Sequence, residues 1–159
     1  MRLYVPATLD ELDSVQGSVI DLEPRRAHAA TPALIAEYEA EGITDLEEVE
    51  YGAHLAAADD SLMLIAQRPD VPWQRVVLSV DVPDNAVEHV PAAAETSVSA
   101  VDIATALAGV SIVCIHIDEP EAADDIQGVF EGKDDALARL AERDLLWYDS
   151  SEIGLITKN

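Results

Sequence analysis

The run at 110–117, "VSIVCIHI", is apolar on both of its alternating faces. Val113, Ile115 and Ile117 fall on one side, Ile112 and Cys114 on the other. A strand with this pattern gains from burial only if both faces are covered, so it belongs in the middle of a sheet. That requirement calls for flanking strands and a layer of helices.

The flanking strands are recognisable. In "RVVLSVDVP", at 75–83, Val76, Leu78, Val80 and Val82 point one way while Arg75, Ser79 and Asp81 point the other. "RLYVP" near the start puts Leu3 and Val5 opposite Tyr4, with Pro6 limiting its length. At 144–153, "DLLWYDSSEI" alternates Leu145 and Trp147 with Leu146 and Tyr148, then reaches Asp149, two serines and Glu152. It reads as a core strand running into a helix cap, with Tyr148 a candidate for lining a pocket.

Helix signals fill the gaps. Thr8 caps a short helix that ends near Gly17, and Thr31–Pro32 opens another that Gly42 stops. Thr44 and Glu47 form a capping box for the longest helix, to about Gln67. Along it Tyr51, Leu55, Ala58, Leu62 and Ile65 make a stripe expected to face the core. Residues 18–30 read as a connection and 83–95 as turn and loop. Ser99 and Asp102 read as a capping box for a helix over 99–108, stopped by Gly109. Residues 120–143 read as helical with a break near Gly132. The expected fold is a single α+β domain over 1–159: a ferredoxin-like split β-α-β sandwich of about four strands with helices on one face.

With 159 residues, such a domain buries roughly two-thirds of its unfolded surface. Thirty-two acidic residues against nine basic ones give a formal charge of −23. This balance disfavours nucleic acid and anionic membranes, both of which need Lys and Arg to displace counterions. It leaves a solvated surface, a basic protein partner, or carboxylates gathered for a cation. Cys114 is the sole cysteine, which rules out an internal disulfide, and no long apolar stretch is present. A cytoplasmic protein is expected.

Three constellations carry possible chemistry. His116 and Asp118 lie two apart on a strand, so they leave the same face, and Glu119 follows at its end. Imidazole with carboxylates suits a transition metal or a small ligand. The competing reading has His116 half buried and the acids favouring the next helix's N-terminus. His54 sits one turn after Glu50 and two after Glu47, which fits a general-base pair or an ordinary surface pair. Cys114, among isoleucines, reads as a small buried hydrophobe. His28 and His89 have no partner at a telling spacing. No nucleophile elbow, phosphate-cradling loop or HExxH helix occurs, and neither a cofactor nor a catalytic residue is indicated.

On "MRLYVPATL", "TPAL" at 31–34, "RVVLSVDVPD" at 75–84, "IHIDEPEA", and "LLWYD" with "EI", the chain resembles an uncharacterised family of small actinobacterial proteins. The resemblance implies a cytoplasmic single-domain protein and carries over no functional residues. The leading expectation is a non-enzymatic interaction or regulatory protein that forms a homo-oligomer through a sheet face or edge. The alternative is a metal-assisted enzyme or small-ligand binder using His116, Asp118 and Glu119.

Overall fold

In a computed structural model the chain is described over residues 1–91, 93 and 96–156. Eight strands form one antiparallel sheet: β1 (Arg2–Ala7), β2 (Val19–Leu22), β3 (Arg25–His28), β4 (Val76–Asp81), β5 (Val87–His89), β6 (Ala100–Ile103), β7 (Leu107–Ile117) and β8 (Leu146–Tyr148). The order is β2-β7-β4-β1-β3-β6-β5, and β8 also pairs with β7. β7 is an interior strand with neighbours on both sides, as its two apolar faces require. β4 lies along one side of it, while β2 and β8 share the other, pairing with its first and last parts respectively.

Helices α1 (Pro32–Ala40), α2 (Leu46–Gln67), α3 (Ala122–Phe130) and α4 (Ala136–Ala141) complete the fold. α1 and α2 cover the face that carries Tyr4 and Val77, through Leu34, Val49, Ala53, Ala57 and Ala58. Leu62 and Ile65, further along α2, pack with Ile126 of α3 and Leu140 of α4. The opposite face holds the main core: Leu3, Val5, Val76, Leu78, Val80, Val101, Ile103, Ile112, Ile115 and Ile117. Among the described residues no α-helix contributes to that core. It is built from residues of β1, β2, β3, β4, β6 and β7, with Leu9 and Leu12 of a 3-10 helix and the partly buried Tyr148 and Ile153 packed against them.

Several expectations are corrected. The sheet has eight strands in place of about four, so the fold is α+β but not the ferredoxin-like split β-α-β sandwich. Residues 18–30 hold β2 and β3, two four-residue strands too short and too charged to show a period. The segment expected as a helix over 99–108 is β6 and the start of β7. Ser99 bonds to His28 there, and Asp102 pairs with Arg26 of β3, so the apparent capping box reports cross-strand partners. β5 lies inside the expected loop at 83–95, part of which falls outside the described residues.

The alternation of β7 is reset by a bulge. Val80 pairs with Ile112 and Ser79 with Cys114, leaving Val113 between them without a partner. Ile112 therefore joins Ile115 and Ile117 in the core, while Cys114 and His116 turn toward the helices. Along α2 the expected stripe is buried at Ala58, Leu62 and Ile65, but over the first turns it is rotated: Tyr51 and Leu55 are exposed, and Val49, Ala53, His54 and Ala57 are buried. Small side chains let α2 approach the strands closely, which places the larger ones on its flank.

Candidate functional site

Beside the first turns of α2 a cleft of about 740 Å³ opens between this helix and β8. Glu47, Glu50, Tyr51 and His54 supply its helical wall at spacings of three and four, one face of two successive turns. Its floor includes Tyr4 of β1 and His116 of β7, and the far wall is Asp144, Leu145 and Trp147. Trp147 is the direct cross-strand partner of His116. The floor and far wall thus follow from the pairing of β7 with β8.

The aromatic rings contact one another in sequence. His54 stacks on Tyr51 at 5.7 Å between centroids, meets His116 edge-on at 4.6 Å, and lies edge-on to Tyr4 at 6.4 Å. His54 is only 7% exposed, and its Nδ1 is buried with no hydrogen-bond partner. Burial, reinforced by the positive charge of His116 when protonated and of Arg75, lowers its pKa to about 4. Burial also lowers that of His116. Both rings are accordingly neutral at pH 7. Tyr4 donates to Glu50 Oε2 at 2.7 Å, and burial together with this bond pushes its phenol above the usual tyrosine range.

The sequence-predicted residues separate. His116 lines the cleft, but Asp118 does not join it. Asp118 is 1% exposed and receives the Arg75 guanidinium on both oxygens, at 2.7 and 2.9 Å, with the Arg75 amide at 3.0 Å. Arg75 also reaches the Leu140 carbonyl at 3.3 Å, so the pair joins β4, the end of β7 and α4. Glu119 is exposed beyond the strand. Tyr148 packs toward the main core, on the opposite side of β8 from Trp147. Cys114 is buried, with Sγ 4.0 Å from His116 Nδ1. Glu50 bonds to Tyr4 rather than to His54. Among the described residues no three His, Cys, Asp or Glu side chains come together to hold a metal.

His28 has partners that sequence spacing could not show. Its Nε2 lies 2.6 Å from Asp60 Oδ2, and its Nδ1 lies 2.7 Å from Ser99 Oγ, residues 32 and 71 positions away. The three residue types are those of a nucleophilic triad, but Ser99 is 1% exposed and has no open approach. This network joins β3, α2 and the turn before β6. His89 is exposed at the end of β5. A second cavity, of about 440 Å³, is lined by Arg25, Arg26 and Arg68, and each is already paired with a carboxylate.

Fold and cleft together define an acidic, antiparallel α+β protein with a mixed aromatic and carboxylate recess on the helical side of its sheet. The model of a family of unknown function, DUF6912, matches residues 1–156, and the chain belongs to that family. No curated protein and no solved structure gives a significant match. Among the described residues no helix is long and apolar enough to cross a membrane.

Proposed function

We propose that the chain is a non-enzymatic binding protein that holds its ligand in the cleft between α2 and β8. The observation that carries this reading is His54. A polar ring atom buried without a partner costs about 1–3 kcal/mol, and here that ring forms the wall of an open, aromatic-lined recess. Local rules are broken at such a cost chiefly at functional sites. Binding is favoured over turnover because Cys114, the thiol 4.0 Å from His116 Nδ1, is buried.

The test is a ligand screen by NMR on His54 and His116, whose ring protons report directly from the cleft. Binders are expected to shift both rings, and Trp147→Ser is expected to weaken them. A chemically diverse screen in which no compound moves either ring would overturn the proposal.

A second reading, self-association through β8, is favoured by one observation. Trp147 is 59% exposed, and Leu146 beside it is also exposed, on a three-residue strand at the sheet's edge. A cytoplasmic homo-oligomer, or a complex with a basic protein, belongs with this reading. Sedimentation velocity across a hundredfold range of concentration tests self-association. A monomer throughout removes the homo-oligomer.

A further inference from the structure

We infer that the cleft selects a small organic cation of the alkylammonium type. This rests on the proposal that the cleft is the recognition site, and goes on to name its ligand chemistry. Glu47, Glu50 and Asp144 line it, with no Lys or Arg among the described lining residues. All seven arginines pair with carboxylates outside the cleft, and although Arg2 also acts on Glu50, Glu47 and Asp144 add two further negative charges. The recess therefore presents an unbalanced negative field, which repels anions and draws cations.

Two features narrow the kind of cation. Inorganic divalent ions need several hard ligands closing on one point, and no such group of three exists among the described residues. The cleft offers aromatic surface instead. Tyr51, 52% exposed, stands on the helical wall and Trp147 on the strand wall, with Tyr4 and the two imidazoles between them. Aromatic faces attract a cation through their quadrupole, and this attraction rewards a weakly hydrated head group with apolar substituents. Carboxylates set the sign of the ligand, and the rings set its hydration. The carboxylates do not carry this inference alone: the buried, unpartnered His54 in the same wall is an independent mark of a site.

The experiment titrates the full chain with choline and, separately, with 3,3-dimethylbutan-1-ol, its uncharged carbon isostere, at matched ionic strength and pH 7.5. Binding is read from the His54 and His116 ring protons and the Trp147 indole. Choline is expected to shift all three, with the isostere at least about tenfold weaker. Trp147→Leu and Tyr51→Leu, each checked for a folded circular-dichroism spectrum, are expected to weaken choline about three- to tenfold. Equal binding of choline and the isostere overturns the inference, as does choline binding that both variants leave unchanged. If neutral or anionic compounds shift the imidazoles and choline does not, the cleft stands as the recognition site and only the cation assignment falls. If nothing shifts them, both readings fall.

Discussion

His54 has a titration consequence whose sign is fixed by its surroundings. Its folded pKa of about 4 lies below the ordinary histidine value, so between these limits the unfolded chain binds the extra proton and the folded chain does not. The ring carries no protonation penalty above about pH 6.5; as pH falls toward 4 the unfolded chain takes up the proton first and the fold loses roughly 3 kcal/mol in all. Groups around it also titrate, including His116 on β7 and Glu47, Glu50 and Asp144 across the cleft, so the comparison must be differential. Urea unfolding at pH 7.5 and pH 4.5 should show the wild type losing clearly more stability than His54→Gln. Equal losses would mean that the ring is not buried as described. His116 was legible from sequence because strand alternation alone assigns its face. Its contact with His54 was not, since the two lie 62 positions apart and meet only through the packing of α2 on the sheet.

Element boundaries show which signals travel well from sequence to structure. β1, β4 and α1 each follow from a strong local period or cap, and each forms near its expected bounds; α2 also forms near its bounds, but Asp45 caps it in place of the expected Thr44–Glu47 box and its first turns bury a different face. β2, β3 and β6 have four residues each, fewer than a period needs to declare itself, and neighbouring strands stabilise them. Asp118 lies apart from the cleft for a related reason. Strand alternation puts it on the same face as His116, but Arg75, just before β4, encloses it. Removing one member of a buried pair leaves the other charged and desolvated, which costs about 3–5 kcal/mol. Asp118→Ala should destabilise the fold by that amount in urea unfolding, loosening the junction of β4, β7 and α4. A loss below about 1 kcal/mol would show that the pair is solvated. Glu119→Ala, one residue on and exposed, should change little.

At the scale of the whole molecule, charge opposes a compact fold. Every arginine is paired, yet 32 acids face 9 bases, so most carboxylates have only water and counterions to balance them. Salt acts on both sides of this account. It screens the exposed ion pairs, such as Arg2–Asp81 and Arg68–Asp10, each worth at most about 1 kcal/mol. It also screens the mutual repulsion of 23 excess negative charges, which folding concentrates into a smaller volume. The pairs are few and weak, whereas the repulsion involves the entire surface, and the second effect should win. The buried Arg75–Asp118 pair is little affected either way. Raising sodium chloride from 20 mM to 500 mM, where the screening length shrinks from roughly 20 Å to about 4 Å, should raise Tm by about 5 °C or more. Sodium sulfate would mix this effect with stronger apolar burial, so chloride is the cleaner probe. A Tm that stays level or falls would mean that paired charges outweigh unpaired ones, and that the acidic surface folds without strain. The same titration bears on the cleft, because its carboxylates lie in the same field: choline should bind more weakly at 500 mM salt than at 20 mM.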